Sequence, residues 1–154
     1  MRIVVIQGPN LNMLGHRDPR IYGLVKLEQI HKNLELVAKE NKFDIEFFQS
    51  NIEGELIDKI QECMGIANGI LINPAGYSHT SIALADAISL VGIPVVEVHI
   101  SNIFARDDYR KTSYTGATST GVITGFGPFG YHIGLLSLMQ IITEINMQNK
   151  AQDN

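Results

Sequence analysis

Two side chains suited to acid–base chemistry stand close together, at Glu97 and His99 in the apolar run Val95-Val96-Glu97-Val98-His99. Because side chains alternate between the two faces of a strand, this spacing predicts that the carboxylate and the imidazole lie on the same side. Histidine is the usual general acid or base near neutral pH, and a neighbouring carboxylate favours its charged form. A structural histidine bonded to a neighbouring loop is the alternative interpretation.

A second polar group occupies Asn73-Pro74-Ala75-Gly76-Tyr77-Ser78-His79-Thr80-Ser81, where an apolar run leads into a helix start. Free backbone amides at such a start favour an oxyanion or a hydroxyl-rich ligand. Helix capping alone explains the serines and the threonine, but it explains Asn73 and His79 less readily. A hydrolase triad of Ser78, His79 and Asp86 is rejected, because Ser78 and His79 are adjacent and no G-x-S-x-G elbow surrounds the serine.

The first loop, from Gly8 to Gly23, is long for a connection between a strand and a helix. Long loops at the carboxyl edge of a sheet often act as lids, and this one contains Arg17, Arg20 and Tyr22. Taken alone, the residues favour a surface loop in which Tyr22 packs on the domain and the arginines are solvated.

The segment Gly125-Phe126-Gly127-Pro128-Phe129-Gly130 matches the G-x-G-x-x-G pattern of dinucleotide-binding turns. No further strand follows to supply a ribose-binding acid, and Pro128 removes one amide from the turn. A tight turn with close helix–sheet packing is therefore favoured, and a nucleotide-binding module is kept as the alternative function.

The remaining residues indicate neither a metal nor a cofactor. The five histidines have no metal-ligand spacing, and the chain contains no CxxC pair and no Walker loop. The single cysteine, Cys63, lies in an amphipathic segment and is predicted to be a packing residue.

Short β-branched runs alternate with segments of helical period, which predicts an α/β fold with a parallel sheet. The predicted strands are Ile3–Ile6, Ile45–Phe48, Gly69–Asn73, Pro94–Ile100 and one near Thr120–Thr124. The predicted helices are Leu27–Asn41, Glu53–Ala67, one from the Ser78–Ser81 caps to Val91, and Tyr131–Gln148. We expect a flavodoxin-like three-layer sandwich with a five-stranded sheet, whose ligand lies beyond the carboxyl ends of the strands.

The length of 154 residues suits one domain, which we assign to residues 1–148, followed by a polar tail at 149–154. A net charge of −4 argues against binding to nucleic acid or to an anionic membrane surface. No apolar run reaches the length of a membrane span, and no signal peptide is visible, so a soluble cytoplasmic protein is expected. Only 18% of the residues are charged, which is consistent with surface covered by other subunits.

Taken together, three ordered motifs resemble the type II 3-dehydroquinate dehydratases. They are G-P-N-L-N-x-L-G with R-x-P-x-x-Y-G between Gln7 and Gly23, N-P-A-G-Y-S-H-T-S at Asn73–Ser81, and E-V-H-I-S-N at Glu97–Asn102. The stretch from Ala105 to Arg110 is similar as well, and the likeness covers essentially the whole chain up to the tail.

The resemblance implies a cofactor-free elimination of water from 3-dehydroquinate that proceeds through an enolate. Tyr22 matches the base that removes a proton beside the ketone, and His99 matches the acid that protonates the departing hydroxyl. Arg17 matches a lid arginine that supports the tyrosinate, Asn10 matches the residue holding a water near the enolate oxygen, and Glu97 matches the partner of the histidine. A tyrosine titrates near pH 10 in water, at about three units above neutrality, so nearby cations are needed to make it a base.

The same resemblance implies the substrate contacts and the assembly. Asn73, His79 and Arg110 match contacts to ring hydroxyls, and the main chain of Ile100-Ser101 matches a cradle for the substrate carboxylate. Asp86 matches a residue that reaches the site of a neighbouring subunit in a trimer. The implied assembly is a homododecamer built from four trimers.

Overall fold

The structure is a computed structural model, and it describes residues 1–15 and 25–152 of the chain. These residues form a sheet of parallel strands: β1 (Arg2–Gln7), β2 (Asp44–Gln49), β3 (Gly69–Asn73), β4 (Val95–His99) and β5 (Gly121–Thr124). The strand order is β2-β1-β3-β4-β5. This is a flavodoxin-like order, so the predicted architecture is confirmed.

Helices cover both faces of this sheet. In chain order they are α1 (Leu27–Glu40), α2 (Glu53–Glu62), α3 (Ile82–Leu90), α4 (Tyr114–Thr118) and α5 (Phe129–Gln152). Ile3 and Val5 of β1 pack in the apolar layer that contains α1 and α5, whereas Val4 and Ile6 pack in the layer that contains α2 and α3. Because strand side chains alternate between the faces, the apolar run of β1 is buried on both sides.

Three helix boundaries differ from the prediction by two residues or more. The segment after α2 forms turns instead of continuing to Ala67, since Gly65 adopts the left-handed conformation with φ +71°, and Met64 is exposed. In contrast, α5 begins at Phe129 and runs through Asn149 to Gln152, so most of the predicted tail is helical. No glycine or proline stands between Met147 and Gln152 to end the helix.

The short helix α4 was not predicted, because its sequence Tyr-Thr-Gly-Ala-Thr lacks a helical apolar period. The start of α3 follows its predicted cap: the Ser81 hydroxyl accepts a hydrogen bond from the Leu84 amide at 2.9 Å. Within the described residues, no helix has both the length and the apolar character needed to cross a bilayer.

Candidate active site

A cleft opens at the carboxyl edge of the sheet, where the loops after β1, β3 and β4 meet. Its volume is about 140 Å³, which suits a small molecule. Its lining includes seven residues that the sequence singled out, namely Asn10, Asn73, His79, His99, Ile100, Ser101 and Arg110. The parallel sheet brings these residues together because the ends of β1, β3 and β4 are neighbours in the strand order.

His99 stands at the end of β4 with one ring nitrogen held by the protein. Its Nε2 donates to Oε1 of Glu97 at 2.6 Å, as the alternation along the strand predicted. Glu97 is fully buried, and its Oε1 also accepts a hydrogen bond from Ser113 Oγ at 2.6 Å. The buried carboxylate orients the His99 ring, and the bond to Nε2 leaves Nδ1 as the nitrogen available to a ligand.

Ser113 is a residue that sequence reasoning missed. It caps α4, where its hydroxyl accepts from the Gly116 amide at 2.9 Å while it donates to Glu97. The sixteen residues that separate Ser113 from Glu97, together with the unpredicted helix, left no sequence signal for this contact. The bond orients the carboxylate that in turn holds His99.

Asn73 ends β3 with its side chain nearly buried at the base of the cleft. Its Oδ1 accepts from the Ala75 amide at 3.0 Å, and its Nδ2 donates to the Tyr131 hydroxyl at 2.7 Å. Farther along the same loop, His79 donates from Nδ1 to the Thr112 carbonyl at 2.7 Å. Its other ring nitrogen, Nε2, is therefore the one available to a ligand. The centroids of the His79 and His99 rings lie 6.3 Å apart, and both rings line the same cleft.

The main chain after β4 turns its amides away from β5. Gly125 N donates to the His99 carbonyl at 3.3 Å, and Gly127 N donates to the Ile100 carbonyl at 2.9 Å. These peptides are trans, and a trans peptide directs its N–H opposite to its carbonyl, so the amides of Ile100 and Ser101 point away from the glycine turn. Two successive amides with one direction form a concavity suited to an anion.

The glycine turn thus contacts the site without resembling a phosphate cradle. Its amides at Gly125 and Gly127 already donate to backbone carbonyls, so they are not presented to a nucleotide. Gly125 has φ +91°, and a Cβ placed on it would lie 2.9 Å from Cβ of Asn102. The nucleotide-binding alternative is therefore not supported, and the glycines are required by a tight turn against the loop after β4.

The loops also carry an asparagine and two arginines to the rim of the cleft. Asn10 adopts φ +66° and donates its amide to Oδ1 of Asn51 at 2.9 Å. Arg110 is half-buried, with its guanidinium 5.0 Å from the Tyr109 ring centroid. Arg106, to which the sequence assigned no role, lines the cleft and donates to Ser101 Oγ at 3.1 Å. Its position in the Ala105–Arg110 stretch was the available signal.

Of the predicted site residues that the structure describes, Asp86 stands apart from this cluster. Arg17 and Tyr22 lie outside the described residues. Asp86 is an exposed residue of α3 and does not line the cleft of its own chain. Ser78, rejected as a nucleophile, is buried and donates its hydroxyl to the Ala75 carbonyl at 2.8 Å. Among the described residues, no three His, Cys, Asp or Glu side chains gather as a group able to hold a metal ion.

Comparisons with known proteins identify the family of this chain. The model of the family described as dehydroquinase class II matches residues 1–139. The chain is 63% identical to the 3-dehydroquinate dehydratase of Helicobacter hepaticus, over 100% of this chain and 98% of that one. It is 60% identical to that of Aliarcobacter butzleri, over 99% and 93% of the two chains.

A solved structure shares the fold as well as the sequence. The type II dehydroquinase from Butyrivibrio crossotus superposes with a TM-score of 0.88 at 42% identity, covering 90% of this chain and 97% of its own. The match of the family model over most of the chain, together with these identities, shows the relationship. The chain belongs to the class II dehydroquinase family.

Proposed function

We propose that the cleft at the carboxyl edge of the sheet is where this chain, a 3-dehydroquinate dehydratase of the shikimate pathway, converts 3-dehydroquinate to 3-dehydroshikimate and water. The observation that carries the proposal is the buried pair of Glu97 and His99, which presents one imidazole nitrogen to a small polar cleft. A general acid at this place suits a reaction that expels hydroxyl.

The elimination takes two proton transfers. Tyr22, as the resemblance implies, removes a proton from the carbon beside the ketone, and the electron pair of that C–H bond moves to the carbonyl oxygen as an enolate. The enolate then forms the ring double bond while the C–O bond breaks on the opposite face. The hydroxyl leaves with the proton of His99 as water, so the base ends protonated and the acid ends neutral.

His99 is suited to the acid role by its surroundings. With Nε2 bonded to Glu97, the transferable proton of the imidazolium sits on Nδ1. Glu97 holds the ring before the proton is transferred, and the hydrogen bond from Ser113 keeps the carboxylate oriented during the transfer. The acid therefore works without a rotation of its ring.

The other polar groups of the cleft match a small polyhydroxy carboxylate. Asn73, His79 and Arg110 contact ring hydroxyls, and the amides of Ile100 and Ser101 hold the carboxylate, since anions favour convergent N–H groups. Asn10 holds a water near the enolate oxygen, and Arg17 supports the tyrosinate from the lid. These roles follow from the resemblance, and the shared cleft of the described residues supports them.

Assembly into trimers and a homododecamer is part of the proposal. It is supported by the exposed position of Asp86 on α3, where Ile82 and Leu90 of the same helix are also exposed apolar residues. A neighbouring subunit on this helix would cover apolar surface and receive Asp86 into its site. Location in the cytoplasm stays a prediction from the sequence.

The direct test is the rise in enone ultraviolet absorbance when purified protein meets 3-dehydroquinate. We expect the wild-type chain to give the signal without added cofactor and the His99→Ala variant to lose about 100-fold or more of the rate. If the folded His99→Ala variant is as fast as the wild-type chain, His99 is not the acid. A flat wild-type trace from folded protein would overturn the proposed function.

A further inference from the structure

Asn73 is oriented by a chain of hydrogen bonds that continues into the core. Its Oδ1 accepts from the Ala75 amide, so the amino group of the side chain must be the atom that faces Tyr131. The opposite amide orientation would set Nδ2 against the Ala75 N–H, donor against donor. The backbone of the loop after β3 and the core together therefore determine which way the Asn73 amide points.

Tyr131 lies in the first turn of α5 and is 1% exposed. Its hydroxyl accepts from Asn73 Nδ2 at 2.7 Å and donates its single proton to Gln7 Oε1 at 2.7 Å. Burial raises the pKa of this phenol well above its usual value, so the hydroxyl remains protonated throughout the working pH range. In both hydrogen bonds the donor and the acceptor therefore stay the same: Asn73 donates to Tyr131, and Tyr131 donates to Gln7.

Gln7, at the end of β1, is the last residue of this series of hydrogen bonds. The side chain is fully buried, and Nε2 has no hydrogen-bond partner within the described part of the chain. A buried donor without an acceptor is unfavourable. The polar group that Gln7 uses here is its oxygen, which accepts the Tyr131 proton and so orients the hydroxyl.

We infer that Tyr131 is a positioning residue of the active site, which fixes the amide of Asn73 so that one N–H and one oxygen lone pair are presented to the substrate. Asn73 Nδ2 has a second hydrogen beyond the one bonded to Tyr131, and Oδ1 has a second lone pair beyond the one bonded to Ala75. Both remain for a ring hydroxyl, which is a donor and an acceptor. The inference rests on the proposed function, in which Asn73 contacts such a hydroxyl.

The test is a double-mutant cycle of Tyr131→Phe and Asn73→Ala, measured by the enone absorbance assay. Tyr131→Phe keeps the ring and removes only the hydroxyl, so we expect kcat/KM to fall about 5- to 10-fold, mainly through KM. In the Asn73→Ala background the same change should have little further effect, because the group on which it acts is absent. The pH profile should not move, since neither residue transfers a proton.

The matched control is Ser137→Ala, which removes a hydroxyl from α5 that, among the described residues, bonds only the Ile133 carbonyl in the same helix. It should leave kcat/KM within about 2-fold of wild type, as a typical surface change does. Additive effects of Tyr131→Phe and Asn73→Ala, or an unchanged KM in folded Tyr131→Phe, would overturn the inference. An inactive wild-type chain would instead overturn the proposed function.

Gln7→Met provides a second route if Tyr131→Phe does not fold. It removes the acceptor of the tyrosine proton while keeping the length of the side chain and the packed ring of Tyr131. We expect a smaller rise in KM, about 2- to 5-fold, which again disappears in the Asn73→Ala background. A wild-type KM in folded Gln7→Met, with Tyr131→Phe unfolded, would show that the chain of bonds serves stability only.

Discussion

His99 has two ring nitrogens in different surroundings, and this asymmetry assigns them different tasks. Nε2 is bound to the buried Glu97, and Nδ1 is the nitrogen that protonates the leaving group in the proposed mechanism. Among the described residues, Oε1 of Glu97 bonds His99 and Ser113, so the carboxylate holds the histidine in place. The proposed acid therefore depends on a residue that does not itself line the cleft.

Glu97→Gln should consequently reduce kcat/KM by at least about 10-fold. The loss should fall mainly on kcat, because the substitution changes the group that holds His99 and leaves the lining of the cleft intact. Ser113→Ala, which keeps the carboxylate, should cost less. A folded Glu97→Gln variant with wild-type kcat/KM would show that the carboxylate has no part in the acid function.

Tyr22→Phe should abolish turnover while substrate binding is largely retained, because only the removable proton is lost. The expected loss in kcat exceeds the roughly 10²–10⁴-fold typical of one acid–base group, since the proposed mechanism has no second base. Equilibrium binding of 3-dehydroquinate by calorimetry, alongside the absorbance assay, separates the two effects. Near-normal kcat in this variant would contradict the assignment.

At the scale of elements, the turn between β5 and α5 determines how the loop after β4 is held. The amides of Gly125 and Gly127 bind the successive carbonyls of His99 and Ile100, and the Ile100 and Ser101 amides therefore point away from the turn. A motif that resembles a nucleotide fingerprint thus supports the segment proposed to hold the substrate carboxylate. This support is made by main-chain hydrogen bonds.

Gly125→Ala should therefore lower kcat/KM by about 10-fold or more, chiefly by raising KM. A methyl at this position would lie 2.9 Å from Cβ of Asn102 and should displace the loop after β4, which contains the proposed carboxylate-binding amides. Gly127→Ala is the matched control: it has φ +60°, and its added Cβ meets no atom within 4 Å. Both variants should lose about 1 kcal/mol of stability from the left-handed backbone, yet only Gly125→Ala should alter KM. Equal KM values in the two would contradict the argument.

An ion cluster joins elements at the opposite edge of the sheet. Glu46 of β2 bonds Lys59 of α2 at 2.5 Å and Arg2 of β1 at 2.6 Å. The hydrogen bond from Lys59, followed by that from Arg2, lowers the pKa of the Glu46 carboxyl. A carboxyl with a lowered pKa contributes stability above its unfolded pKa, and the contribution is lost as the pH falls through the folded value.

Glu46→Gln should accordingly lower Tm at pH 7 by about 2–4 °C, because the cluster is partly exposed and screened. The difference from wild type should shrink as the pH falls below about 4.5 and vanish once the wild-type carboxyl is also protonated. Thermal melts from pH 7 to pH 3 give the comparison. A difference in Tm that stays constant over this range would assign the effect to packing.

At the scale of the whole molecule, the proposed assembly makes catalysis a shared property. Asp86 is exposed on α3 and does not line the cleft of its own chain, so its predicted site role requires a neighbour. Cyclic symmetry then has every subunit donate one Asp86 and receive another. The assembly would be required for activity as well as for covering apolar surface.

Mixed oligomers test this arrangement. Tyr22→Phe and Asp86→Asn subunits should each be inactive alone, but unfolding them together and reassembling them should restore activity. Some sites then receive Tyr22 from one chain and Asp86 from its neighbour. Native mass spectrometry confirms the mixing. Mixed oligomers without activity would place Asp86 in the site of its own chain or outside catalysis.

The sequence by itself determined the fold and much of the cleft. The alternation of apolar runs and amphipathic segments predicted the parallel sheet, because the two periods reflect which faces are buried. The same period placed Glu97 and His99 on one side of β4, and strand ends placed Asn73 near them. These features can be predicted from the sequence because their geometry depends on residues that are close together along the chain.

Only the tertiary structure decided which distant groups orient the site. Tyr131 is 58 residues from Asn73, and Ser113 reaches Glu97 from a helix without an apolar period. The directions of the Ile100 and Ser101 amides depend on a turn that follows a different strand. Such contacts depend on how strands and helices pack in three dimensions, and a hydrogen bond between distant residues leaves no periodic trace along the chain.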